Sequence, residues 1–149
     1  MAVDWQLVVD CADPNRQAAF WAQALDYAVE DNSALINRLL DAGMVGPDDV
    51  TEVGGRPAWK VLAAIRHPDA PVDPATGIGL GQRVLFQAVP EGKQVKNRLH
   101  IDLRVGPERR DAEVERLRGL GATVLRVVQD RGSHHVTMAD PEGNEFDVQ

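Results

Sequence analysis

Leu99, Ile101, Leu103 and Val105 alternate with His100, Asp102 and Arg104. A period of two predicts a strand over 98–105 with one apolar and one polar face. The polar face carries an imidazole, a carboxylate and a guanidinium in a row, and we read it as the lining of a cavity. The same alternation appears earlier, where Trp5, Leu7, Val9 and Cys11 define a first strand. Asp13-Pro14 then opens a helix, with Asp13 as N-cap and Pro14 at the first helical position. Phe20, Trp21, Ala24 and Leu25 give that helix its apolar face. A short strand follows over 27–30. A second helix is capped by Ser33, striped by Leu35, Ile36, Leu39 and Leu40, and stopped by Gly43. Segments 50–53 and 58–65 flank Gly54-Gly55-Arg56-Pro57 as a hairpin. Segment 67–82 has no periodicity and reads either as a lid or rim, or as a plain surface excursion. A strand over 83–89 and a polar linker over 90–96 complete this half.

The second half has the same grammar. Strand 98–105 leads to a helix with Pro107 at its start, Ala112, Val114, Leu117 and Leu120 inside, and Gly121 at its end. Strands follow over 124–128 and 134–138, then a turn over 140–144. In the last strand Glu145 and Asp147 face one way, Phe146 and Val148 the other. His134 and His135 are neighbours on a strand, so only one of them can face a cavity. Trp5, Phe20 and Trp21 are expected in the core, and Trp59 either in a sheet or in a cavity wall.

Superposing the halves aligns Gln6-Leu7-Val8-Val9 with His100-Ile101-Asp102-Leu103, an offset of 94, and Leu85-Phe86-Gln87 with Glu145-Phe146-Asp147, an offset of 60. The difference of 34 residues matches an extra helix and long loop in the first half. The chain therefore reads as one domain, 1–149, of two β-α-β-β-β modules. Module 1 spans about 1–90 and carries the insertion; module 2 spans about 97–149. If the first and last strands of each module pair, the side chains of Gln6, Gln87, His100 and Asp147 converge on one cup.

Composition narrows the partners. The net charge of −7 argues against nucleic acid, which calls for a basic stripe, and leaves a small neutral or cationic ligand. A single cysteine, Cys11, excludes an internal disulfide and fits a reducing cytoplasm. The N-terminal apolar run is too short for a leader or a membrane span.

Three motifs carry a resemblance: Val89-Pro90-Glu91-Gly92-Lys93, then Lys96-Asn97-Arg98-Leu99-His100-Ile101-Asp102-Leu103, then Asp140-Pro141-Glu142-Gly143-Asn144-Glu145-Phe146. Together they resemble bacterial glyoxalase-like proteins of the vicinal oxygen chelate superfamily, the glyoxalase/bleomycin-resistance fold. The resemblance implies an α+β chain whose two βαβββ modules form a curved mixed sheet around a ligand cup, as a homodimer. It also implies a divalent metal held by Gln6, Gln87, His100 and Asp147. Two of those four are neutral amides, and the glyoxalase glutamate base has no counterpart at Gln87. The expectation is therefore that no metal binds; were one present, these donors would suit Zn, Ni, Mn or Fe.

Two functional readings follow. In the first, the chain is a small-molecule enzyme of the lyase or isomerase type. His100 and Asp147 are its catalytic pair, and Gln6, Gln87, Asp102, Arg104 and Trp59 line the ligand site. In the second, it is a metal-free protein of the bleomycin-resistance type that binds and sequesters an antibiotic-like small molecule. A non-catalytic structural module is a third case, marked by a cup filled with its own side chains.

Overall fold

In the computed structural model, which describes residues 1–130 and 132–149, alternation at the start of the chain produces β1 (Leu7–Cys11). The chain divides into two compact units, Met1–Gly92 and Lys93–Gln149.

The first unit continues with α1 (Pro14–Leu25), where Asp13 accepts a hydrogen bond from the Arg16 N–H as N-cap. Phe20 and Trp21 turn inward from α1 and meet edge to face. After β2 (Ala28–Val29) and α2 (Ser33–Asp41) comes a hairpin of β3 (Val50–Val53) and β4 (Arg56–Trp59). Its turn is Gly54-Gly55, both with positive φ (57° and 76°), as a tight hairpin requires. β5 (Leu62–Arg66) and β6 (Arg83–Ala88) complete a mixed sheet in the order β1-β6-β5-β2. Helix α1 packs on β5 and β6, and Ile36, Ile65 and Phe86 are fully buried.

Several expectations change here. Residues 58–65 do not form one hairpin arm: the chain leaves the hairpin at Trp59, whose carbonyl accepts from Asn15 Nδ2, while the Lys60 N–H turns to the Asp49 carbonyl. The insertion thus contains a two-stranded hairpin as well as a helix and a loop. Ser33 is the first residue of α2 rather than its cap; its N–H donates to the Asp31 carboxylate. Only Ile36 of the α2 stripe is buried. Trp5 is 87% exposed rather than in the core. Segment 67–82 forms no strand or helix but is tied down at several points. Asn32 Nδ2 donates to the Thr76 carbonyl and Glu30 Oε1 accepts from the Gly79 N–H, both at 2.8 Å. Gly77 passes so close to the Asp31 carbonyl that a Cβ would lie 1.9 Å from its oxygen, so only glycine fits.

The second unit comprises β7 (Asp102–Leu103), α3 (Arg110–Leu120), β8 (Thr123–Asp130), β9 (Ser133–Ala139) and β10 (Glu145–Val148), in the sheet order β7-β10-β9-β8. Helix α3 stops at Gly121, in the left-handed region at φ 112°. Val114 and Leu117 face the sheet, and Ala112 is exposed, against expectation. The core is Leu103, Val136, Met138, Phe146 and Val148. The strand expected over 98–105 contracts to two residues. The N–H groups of Asp147 in β10 and of Gln149 just after it reach the carbonyls of Ile101 and Leu103, whereas residue 97 is tied by side chains and Leu99 is 81% exposed.

Both units have the order first-last-third-second, with first and last strands parallel and the other pairs antiparallel. This is an α+β fold of two βαβββ units with curved mixed sheets. The registers correct the repeat. Asp10 stands level with Gln87, and Asp102 with Asp147. The offset at the first strands is therefore 92, not 94, and Val8 rather than Gln6 is the register counterpart of His100.

Candidate functional site

The polar face of the second unit's sheet brings four chemically active groups together. His100 Nε2 lies 3.4 Å from Asp102 Oδ1 and 3.5 Å from Asp147 Oδ2. His135 Nε2 approaches the same Asp147 oxygen at 3.7 Å. One donor atom from each of His100, Asp102 and Asp147 lies within 4.8 Å of the others. Strand geometry explains the cluster. Asp102 and Asp147 are level across the parallel pair, and His100 precedes Asp102 by two residues, on the same face. Thr137 is level with Asp147 across the antiparallel pair, and His135 is two residues earlier on its face.

Neutral donors set the orientation of both carboxylates. Thr137 Oγ1 donates to Asp147 Oδ1 at 2.7 Å, and Gln149 Nε2 donates to Asp102 Oδ2 at 2.8 Å. Each carboxylate thus has one oxygen anchored and the other near His100 Nε2. Ser133 Oγ lies 3.0 Å from His135 Nδ1. His134 faces the other way, with its Nδ1 2.8 Å from Arg110 Nη2.

The linker and the last strand form a clasp beside this cluster. Glu145 Oε1 pairs with Lys93 Nζ at 2.9 Å, and Oε2 accepts from the Asn97 N–H at 3.0 Å. Asn97 Nδ2 reaches Asn144 Oδ1, whose own amide is held by Asp140. Desolvation pushes the Glu145 carboxyl up, but the Asn97 N–H and the Lys93 ammonium outweigh it and hold its pKa down to about 2. The clasp fastens the chain three residues before His100.

The corresponding face of the first unit holds less chemistry. Gln6 Oε1 accepts from Arg83 Nη1 at 2.8 Å, and Arg83 in turn pairs with the buried Glu30. Gln87 is exposed and level with Asp10. Gln6 and Gln87 are four register positions apart, about 13 Å along the strands, and this unit does not bring them together as the other brings His100 and Asp147. Half-buried Trp59 lines a shallow depression with Val29, Pro57 and Leu62, with Asp31 and Arg56 paired nearby. Arg104 is exposed, two residues beyond Asp102.

Sequence reasoning singled out His100, Asp102 and Asp147 but missed Thr137, Gln149 and the choice between the two histidines. The signal was there: a hairpin folding symmetrically about the 140–144 turn places Thr137 opposite Asp147, and His135 on that face.

Residues 6–149 match the glyoxalase-like domain family, and the chain belongs to that family. No protein of curated function matches. Among solved structures the chain is similar to a glyoxalase/bleomycin resistance protein/dioxygenase family enzyme from Burkholderia phytofirmans. That match has 14% identity and a TM-score of 0.57, and covers 96% of this chain and 94% of that one. It is similar to the fosfomycin resistance protein FosX from Mesorhizobium loti, at 12% identity and a TM-score of 0.60, covering 100% and 91%. A point mutant of FosX from Listeria monocytogenes, complexed with Mn(II) and 1S,2S-dihydroxypropylphosphonic acid, matches at 11% identity and a TM-score of 0.59, covering 100% and 90%. These likenesses define the glyoxalase/bleomycin-resistance fold. Among the described residues no helix is long and apolar enough to cross a membrane.

Proposed function

We propose that the chain is a small-molecule enzyme of the lyase or isomerase type whose reacting groups are His100 and Asp147. The observation that carries this reading is the position of Asp147 Oδ2, 3.5 Å from His100 Nε2, with the other oxygen held by Thr137. A carboxylate fixed at one oxygen presents the other as a base of defined direction. Asp147 Oδ2 takes a proton from a bound substrate, and the His100 imidazole holds it or returns it. His135 flanks the same oxygen and keeps a polar contact on it through the transfer.

The donor set also suits a divalent cation. An imidazole and carboxylate oxygens fit Zn, Ni, Mn or Fe, and donor separations near 3.4 Å match atoms sharing one ion at bond lengths of about 2.1 Å. With such an ion bound, His100 and Asp147 would hold it instead of passing the proton, and the ion would polarise a substrate oxygen as a Lewis acid. The Mn(II) bound in the FosX mutant structure supports this extension. The same reading takes the protein as a cytoplasmic homodimer that meets a small molecule rather than nucleic acid or a membrane. The lone cysteine and the net charge of −7 support those partners and that compartment.

The second reading, a metal-free binder of the bleomycin-resistance type, draws on the depression beside Trp59 and on Gln6 being engaged by Arg83. The two readings separate in one experiment. Purified protein is incubated with a bacterial metabolite extract, with and without a chelator, and substrate loss and product gain are followed by mass spectrometry. The enzymatic reading expects conversion that falls at least 100-fold in His100→Ala and Asp147→Asn. Conversion unchanged in both variants overturns it. Absence of conversion, with a compound that stabilises the protein equally with and without chelator, establishes the binder instead.

A further inference from the structure

We infer that two copies of the chain join through the outer edge of the second unit's sheet, β8 lying antiparallel against β8 of the other copy, so that Arg126 of each faces Asp130 of the other. The inference rests on the homodimer reading above and gives that dimer its surface and register. It does not depend on the chemistry at His100 and Asp147.

The first observation is the edge. In the order β7-β10-β9-β8, the last strand has a neighbour on one side only among the described residues. Its counterpart in the first unit, β2, is two residues long, whereas β8 has eight. Open N–H and C=O groups along a sheet edge recruit another strand, and long edges are commonly blunted by lysine or proline. Thr123 to Asp130 hold neither. Leu125 is 52% exposed and Val127 61%. The register shift between Val124 and Arg126 leaves 126–130 as an unbroken run.

The second is the direction of the backbone. Asp130 pairs with Ser133 across only two residues, so the two must bond to each other directly. Bonding alternates along an antiparallel ladder. Val128 and Arg126 therefore turn their N–H and C=O groups to β9, and Val127 and Gln129 turn theirs outward.

The third is charge. Arg126 and Asp130 are the two charged residues of β8. They stand level with Thr137 and Ser133 and share one sheet face. Four residues apart, about 13 Å along a strand, they are too distant to pair within one chain. An antiparallel contact centred on Val128 sets Arg126 opposite Asp130 of the other copy, twice over by symmetry. The same register sets Val127 opposite Gln129, so every outward N–H of these residues meets an outward carbonyl. Centring on Arg126 instead puts like charges face to face, and centring on Val127 leaves both charges opposite valines. Opposite charges across a strand pair favour a register and like charges oppose it. Each edge is used up by its own copy, so assembly closes at two chains.

The test is sedimentation velocity of the full chain over a concentration series. A contact this short buries less than about 1,200 Å² and is expected to form between about 10 µM and 1 mM. Arg126→Asp and Asp130→Arg each place like charges opposite at both ends, and each is expected to weaken the dimer about ten-fold or more. An equal mixture of the two variants is expected to dimerise within about three-fold of wild type, because each chain then meets its complement twice. Amide exchange read by NMR on the wild type is expected to slow about ten-fold at Val127 and Gln129 as the dimer forms. That measurement needs no variant, so it decides the matter if either substitution prevents folding. Wild type that stays monomeric at about 1 mM, or grows past two chains, sinks the homodimer reading and this inference together. A dimer of unchanged affinity in both variants, a mixture that stays monomeric, or unchanged exchange at Val127 and Gln129 overturns the inference alone and leaves a homodimer built on another surface.

Discussion

The two units share a strand order and differ in what their sheets display. Level with each other in register, His100 in the second unit answers to Val8 in the first, Asp147 to Gln87, and Glu145 to Leu85. Across the next strand Thr137 faces Asp147, whereas Leu62 faces Gln87. Only Asp102 has a like-charged counterpart, Asp10. The scaffold is thus repeated while the chemistry is not: the first unit keeps the frame and uses its polar contacts to hold a long insertion, the second gathers two imidazoles and two carboxylates on one sheet face. A fold repeated in this way tells little about function until the side chains are placed.

The largest effects should fall on what the units share. Phe86 and Phe146 are matched core residues, 0% and 1% exposed. Phe86→Ala and Phe146→Ala should each cost about 3–5 kcal/mol by denaturant unfolding. A loss below about 1 kcal/mol in one of them would break the equivalence of the cores. Next comes a feature the units do not share. Giving the second unit its counterpart's residue, Glu145→Leu, removes a charged clasp worth about 1.5–3 kcal/mol. The Glu145 pKa is held at about 2, below its usual 4.5, so this contribution is complete above pH 4.5 and is lost as the pH falls toward 2. Acid unfolding followed by hydrogen exchange on β10 should lose that part of its pH dependence in the variant.

A smaller effect belongs to the orientation of Asp147. Thr137→Val should cost about 1–2 kcal/mol, since it leaves the anchored oxygen without its donor, whereas Leu62→Thr in the first unit should install no new activity. The smallest test compares helix starts. Asp13 caps α1 through its side chain, while Arg109 precedes α3 without a side-chain cap. Asp13→Ala should cost about 1 kcal/mol by thermal melting, and Arg109→Ala only a few tenths.

Much of this architecture was legible in residue order. The cap at Asp13, the stop at Gly121, the 140–144 turn and the opposed faces of 145–148 follow from local chemistry that acts within a few residues. The length of β7 was not legible: alternation over 98–105 is strict, but it reports faces, not which backbone groups find a partner. Nor was the true offset of the repeat. A slip of one residue turns every side chain over, but a slip of two restores the pattern, so hydrophobic periodicity cannot tell 92 from 94. That slip decides whether Gln6 or Val8 answers to His100. Trp5 misled for a related reason, since its position in the alternation says nothing about whether a strand partner reaches it.

The most direct measurement is turnover by folded His100→Ala and Asp147→Asn on the compound that the wild type converts. The account predicts a loss of about 100-fold or more in each. Turnover unchanged in either variant, with its circular dichroism that of the wild type, would contradict it.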